Sequence, residues 1–391
     1  MKKLLVILSL FALLVGLFGC RAEPAPSETA VETASPDWNR WQVALVSDYG
    51  SPLNGGFKQD VFEAAQAWCR EKGVAFSVYE PKEDSTAERV EMIRQAVREG
   101  ANVLLLPEYV FASAIVETVE QYSDVYYIAP CVTAYDLKSA VDPFSEAEYV
   151  CPANLYCVNY REEIAGYLAG WAAVAGGSDR LGIPCGYGLN AQLRLCYGFI
   201  QGADAAAAAL GRSAEVELRY YALRARSYCV DEEALRAGLE AWYAAGTEFF
   251  FPIGDSLFLD CAAQELAADG KLFAVADALY RPGGDKPFSE AAAFCVRMDY
   301  GVAVRRVLTE LIENDNWAAC GGTIAQLGII SEDPAQNGIL LAEPLEVGKG
   351  FTEADYAALI GALYRGERKV SDAVDHVPEV GITVIEDNVY H

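Results

Sequence analysis

Short apolar runs alternate along this chain with longer amphipathic stretches, and that alternation narrows its possible folds more than any other feature. Val43–Ser47, Val74–Tyr79, Val103–Leu106 and Val125–Ile128 are brief, largely aliphatic and bounded by turn residues, the pattern of buried strands. Between them, Phe57–Lys72 sets apolar Phe57, Val61, Ala64, Ala65 and Trp68 on one helical face, and helices are expected around Ala87–Glu99 and Ala112–Tyr122. A βαβαβαβ order needs crossover connections, so it predicts a parallel sheet with helices on both faces. The pattern then restarts. Helix Glu162–Ala175 leads to strand Arg180–Pro184, helix Gln192–Leu210, strand Ala214–Tyr220 and helix Glu232–Ala245. Strand Glu248–Phe251, helix Phe258–Ala268 and strand Leu272–Ala276 follow. The chain is therefore expected to be α/β, with two doubly wound units of similar length.

Parallel sheets take ligands outside the carboxyl ends of their strands. Three such ends here are polar or glycine-rich: Ser47-Asp48-Tyr49-Gly50, Cys185-Gly186-Tyr187-Gly188 and Ile253-Gly254-Asp255-Ser256. Facing one another across two lobes, these edges would form a cleft.

The first nineteen residues read as an export signal. Lys2 and Lys3 precede an apolar run from Leu4 to Phe18, too short for a transmembrane helix of ~20 residues. Leu17-Phe18-Gly19-Cys20 resembles a lipobox, with Phe18 bulkier than is usual. Cys20 is expected to be diacylated and to become the mature N-terminus; the alternative is an ordinary secretory signal with Cys20 incidental. Either way the protein works outside the cytoplasm, and lipidation would hold it at the cell membrane. Residues 21–37 are rich in Pro, Ala, Ser, Thr and Glu without hydrophobic period, so 20–40 is read as a disordered tether.

Composition removes several classes of function. The chain carries 56 acidic against 30 basic side chains, a formal charge of −26, and loss of Lys2 and Lys3 makes it more negative. Phosphate backbones would repel it, as would anionic lipid headgroups, so no nucleic acid is expected and an acyl chain must supply the anchor. The two histidines, His376 and His391, stand near the C-terminus and leave no histidine-based zinc site or Ser-His triad. No CxxC pair occurs. Export permits disulfides, with Cys151–Cys157 and Cys185–Cys196 nearest in sequence, while buried free thiols are the alternative. No metal, cofactor or catalytic residue is implied.

Four segments resemble the basic membrane protein family of ABC-transporter substrate-binding lipoproteins, which includes purine-nucleoside and riboflavin binders. They are Val43–Ala65, with its strand, Asp-x-Gly turn and first helix; Tyr160–Ala172; Arg180–Leu210, with Tyr197-Gly198-Phe199 and Gly202; and Trp317–Leu327, with Gly321-Gly322-Thr323. The resemblance implies the type I periplasmic-binding fold, two lobes joined by three crossings. It places the first lobe at 41–157 plus 293–318 and the second at 158–292 plus 319–391. It also implies a small-molecule, nucleoside-like ligand, held without chemistry by closing lobes, and partner permease and ATPase subunits. With no GxxxxGK[ST] in the chain, ATP hydrolysis belongs elsewhere.

The candidate ligand residues each have a structural alternative. Asp48 would accept a hydrogen bond from base or ribose, or else satisfy its own turn. Phe57 stands where the family stacks a ring on the base, or else faces the core. Asn54 offers donor and acceptor, as a turn asparagine also does for its backbone. Gly254 permits close approach of a ligand, and Asp255 binds a ribose diol or caps a helix. Asp277 falls near the family's Val-Asp segment, and Arg297 near a lysine aimed at the sugar, with plain surface charge as the alternative. Tyr187, Tyr109 and Tyr135 add aromatic surface suited to a flavin. Two departures stand out: Ala129-Pro130-Cys131 replaces an aspartate at a strand end, and Lys58 replaces an amide. Rivals are a sugar, riboflavin or signalling-ligand binder of the same fold and, against the missing triad and nucleophile elbow, a surface hydrolase.

Overall fold

The computed structural model describes residues 37–53, 57–186, 190–221, 232–254, 256–276, 291–342 and 350–388. The chain runs β1 (Gln42–Val46), α1 (Phe57–Lys72), β2 (Ala75–Tyr79), α2 (Thr86–Arg98), β3 (Val103–Leu105), α3 (Ala112–Thr118), β4 (Tyr126–Pro130), α4 (Ala134–Val141) and β5 (Leu155–Tyr160). It continues with α5 (Glu162–Ala175), β6 (Arg180–Gly186), α6 (Asn190–Leu210), β7 (Glu215–Tyr221), α7 (Glu232–Ala244), β8 (Phe249–Phe250), α8 (Ser256–Ala268) and β9 (Leu272–Ala276). Last come β10 (Phe294–Met298), α9 (Tyr300–Leu308), β11 (Thr323–Leu327), β12 (Ile339–Ala342), α10 (Glu353–Tyr364) and β13 (Thr383–Asn388).

Two sheets result. The first has the order β11-β5-β4-β3-β1-β2, and all its pairings are parallel. Alternate residues of its central strands go to opposite faces, and both faces are buried. Val43, Leu45, Val103 and Leu105 pack with Val61 and Trp68 of α1, while Ala44, Val46 and Leu104 pack with Ile93 of α2 and Ile115 of α3. Burial on both faces is why these strands read as continuous apolar runs rather than alternating ones. The second sheet has the order β12-β10-β9-β8-β6-β7-β13, parallel except for the β10–β12 pair. The α/β fold of two doubly wound sheets is as the sequence predicts, with β12 an antiparallel exception. Between β11 and β12 the described structure holds only a short turn at Pro334–Gln336, with no crossover helix to carry the chain back, so β12 runs the other way.

Strand membership moves the expected lobe boundaries. The chain passes between sheets after Tyr160, after Met298 and after Leu327. Residues 294–298, expected in the first lobe, pair in the second sheet; residues 323–327, expected in the second, pair with β5 in the first. β5 itself, Leu-Tyr-Cys-Val-Asn-Tyr, is a strand that the periodicity did not single out, although all six residues are buried.

Within the second lobe, α5 and α6 are in backbone contact. A Cβ on Gly166 or Gly170 would stand 2.1 or 2.0 Å from the carbonyl oxygens of Leu195 and Phe199. One on Gly198 or Gly202 would stand 2.1 Å from those of Glu163 and Tyr167. Only hydrogen fits at these four positions, so the two glycine pairs set the helix separation. Among the described residues, no helix is long and apolar enough to cross a membrane.

Candidate functional site

The carboxyl ends of β1, β3 and β4 gather polar groups. After β1, the Ser47 hydroxyl donates to the Gly50 carbonyl at 2.6 Å, and buried Arg89 of α2 donates through Nε to the Asp48 carbonyl at 3.0 Å. Arg89 also pairs with Asp84, which fixes the guanidinium under the turn. The turn therefore presents the Asp48 carboxylate outward, where Lys58 Nζ meets it at 2.8 Å. Both partners are about three-quarters buried, their side chains 20 % and 24 % exposed.

The next two strand ends adopt positive φ without glycine: Glu108 at 131° and Cys131 at 62°. Each is held there by a strand-type hydrogen bond, Glu108 N–H to Pro130 O at 3.0 Å and Cys131 N–H to Val158 O at 2.9 Å. Such backbone costs of order 1–3 kcal/mol per residue and concentrates at functional sites. Burial pushes the Glu108 carboxyl up to about 7; Lys58 opposes that shift and the Asp48 charge adds to it. Burial, then the Glu108 charge, raises the Cys131 thiol to about 12.

Groups from the crossings complete the cluster. The hydroxyl of Tyr300, at the start of α9, hydrogen-bonds the Cys131 thiol, and Glu162 at the start of α5 acts electrostatically on both. Glu162 pairs with Arg194 Nε of α6 at 2.7 Å, and its carboxyl is raised by burial against the pull of that guanidinium. Asp48, Lys58, Glu108, Cys131, Tyr300, Glu162 and Arg194 thus form one interacting set drawn from both lobes. It offers carboxylate acceptors and cationic donors. Among the described residues no group of three or more His, Cys, Asp or Glu is placed to hold a metal ion.

Of the residues expected from the sequence, Asp48 is in this set. Phe57 begins α1 beside it, although its side chain lies outside the described residues, as do Asn54, Tyr187, Asp255, Asp277 and Cys20. Gly254 follows β8 and closes on Phe258, whose ring would meet a Cβ there at 2.6 Å; its packing alone requires glycine. Arg297 lines a different cavity, of about 490 Å³, along α1 and the start of α9. There its guanidinium pairs with Asp299 at 3.2 Å and, across the lobes, with buried Asp60 at 3.5 Å. Glu108, Glu162, Arg194 and Tyr300 were not singled out from the sequence. Glu108 had a usable signal: Leu104-Leu105-Leu106-Pro107-Glu108 is an apolar strand ending in a polar residue, like the β1 end at Asp48.

A family model described as Bmp, ABC transporter substrate-binding protein PnrA-like, matches residues 42–221. No curated protein matches the chain. Among solved structures, an ABC transporter solute-binding protein from Conexibacter woesei superposes with a TM-score of 0.63 at 18 % identity, covering 85 % of this chain and 99 % of that one. A transcriptional activator of the comK gene from Bacillus halodurans gives 0.61 at 13 % identity, covering 84 % and 99 %. An ABC transporter solute-binding protein from Aeropyrum pernix gives 0.55 at 17 % identity, covering 86 % and 94 %. At these identities the likeness is one of fold.

Proposed function

Over residues 42–221 the chain belongs to the PnrA-like ABC-transporter substrate-binding proteins of the Bmp family, and on that premise we propose that it captures nucleoside-like ligands outside the cytoplasm for an ABC importer. The family binds solutes and does not turn them over, works outside the cytoplasm, and delivers to permease and ATPase partners. The observation that carries the ligand reading is the polar set at the strand ends, which draws on both lobes. A ligand there would touch both at once, so binding and lobe closure would be one event.

In this reading Asp48 and Glu108 accept hydrogen bonds from base or ribose, while Lys58 and Arg194 donate. Phe57 stacks on the base, worth about 1–3 kcal/mol in nucleic-acid binders. Asn54, Tyr187, Gly254, Asp255 and Asp277 supply further ligand contacts in this proposal, and Arg297, in its separate cavity, serves the site through its cross-lobe pair with Asp60. Cys20 carries the lipid that holds the protein at the membrane, which Cys20→Ser would release to the soluble fraction. Tyr49 and Tyr109, half-exposed beside Asp48 and Glu108, favour a flavin as the second reading.

Thermal unfolding against nucleosides, riboflavin and sugars tests the ligand. A ligand at 100 times its Kd adds about 2.7 kcal/mol of stability. A shift with nucleosides that vanishes in Phe57→Ala supports the proposal. A shift only with riboflavin or a sugar overturns the ligand and leaves the family.

A further inference from the structure

We infer that Cys185 and Cys196 are joined by a disulfide in the exported protein, stapling the cleft-facing end of β6 to α6. The two residues are eleven apart in sequence, both are fully buried, and their sulfurs stand 3.4 Å apart with the Cys196 thiol donating to Cys185. A disulfide closes at about 2.05 Å, and small rotations about the two Cα–Cβ bonds cover the remaining gap. The compartment favours the bond, because the family works outside the cytoplasm, where disulfides form and persist. The inference rests on that location and not on which ligand the cleft takes.

The chemistry is thiol–disulfide exchange with an exported thiol oxidase that carries its own disulfide. One cysteine thiolate attacks the oxidase disulfide to give a mixed disulfide, and the second cysteine displaces the oxidase. Two thiols of this chain are oxidised; the oxidase disulfide accepts both electrons and both protons and leaves as a dithiol. Burial fixes the timing. In the folded protein neither sulfur is open to an oxidase, and desolvation holds the Cys196 thiol well above its ordinary range. The bond therefore forms while the chain folds after export, and once formed it is shielded from reductants.

Arg194 lies between the two cysteines, so trypsin separates them into peptides 181–194 and 195–212. Protein taken from the extracytoplasmic fraction without reductant would be acid-quenched, denatured, alkylated with N-ethylmaleimide and digested. The expected result is a species with the summed mass of both peptides less two hydrogens. It should be lost on reduction before alkylation and be absent from Cys196→Ala. Protein refolded in dithiothreitol should melt several degrees below protein refolded in a glutathione redox buffer. Recovery of both peptides singly alkylated, in exported and in redox-refolded protein alike, would overturn the inference. So would identical melting of the two refolded forms.

Discussion

The contact between α5 and α6 sets two forces against each other at one atom. Replacing Gly170 by alanine in a helix interior gains about 1 kcal/mol of helix propensity. The added Cβ, however, would stand 2.0 Å from the Phe199 carbonyl oxygen and 2.9 Å from the Ala203 nitrogen. A carbon–oxygen contact relaxes at roughly 3.3 Å, so the helices must separate by more than an ångström along part of their length. The obstacle is backbone, which no rotamer change can move aside. Overpacking of this kind costs about 1–3 kcal/mol, occasionally more, and a backbone clash belongs at the upper end. We expect Gly170→Ala to lose about 2 kcal/mol net, read as a lower urea midpoint with an unchanged m-value. Gly198→Ala should behave alike, because its Cβ would meet the Glu163 carbonyl at 2.1 Å. The double variant should lose less than the sum, since the first substitution has already parted the helices. A Gly170→Ala protein more stable than wild type would show propensity winning, and would refute the argument that this contact fixes the helix pair.

Glu108 should make stability fall with rising pH. Its folded value of about 7 lies above the ordinary 4.5, so the folded state holds its proton more tightly than the unfolded one. The contribution is complete below about 4.5 and lost as pH rises to about 7. Glu108→Gln should therefore be more stable than wild type at pH 8, by up to about 3 kcal/mol, with the gap closing near pH 4.5, as denaturant midpoints across pH would show. Arg297→Gln leaves the Asp60 carboxylate without its cross-lobe cation and should cost about 1–2 kcal/mol, since the pair is long and the guanidinium partly wet; an unchanged urea midpoint would count against the pairing. Lys58→Ala releases the Asp48 carboxylate from its ion pair, and isothermal titration should show ligand affinity changed at least several-fold; unchanged affinity would put the pair outside the site.

Apart from α4 and β5, the strands and helices that build both sheets up to Ala276 were legible because they are buried on two faces or one, and each period is clean. α1, α5 and β9 fall where the residue pattern puts them. β5 was hidden by its own chemistry: Tyr156, Asn159 and Tyr160 interrupt the aliphatic run, yet all are buried because each finds a packing or hydrogen-bonding partner, such as Asn159 with the Val132 carbonyl at 2.8 Å. The sheets that Phe294–Met298 and Thr323–Leu327 join were not legible for a different reason. A strand's sheet is decided by its partner, and nothing in Phe294–Met298 or Thr323–Leu327 states whether β9 or β5 will be beside it. The candidate site was half-legible by the same logic. Asp48 ends a strand in a polar turn and could be found; Glu162 with Arg194, and Tyr300 with Cys131, meet only because distant crossings bring them together.

Because each sheet is completed by a strand that arrives late, the order of emergence during export matters. β5 waits without its outer neighbour while the whole run from α5 to β10 is made, and only then does β11 dock along it. β7 likewise waits for β13, the last described strand. Until those partners appear, each offers a row of unpaired backbone amides and carbonyls that another nascent chain could extend. A chaperone outside the cytoplasm, or spacing between neighbouring chains, would be needed most in that interval. Shortening the chain before Thr383 would leave the β7 edge open for the life of the molecule, so aggregation rather than weak binding is the failure such a truncation invites.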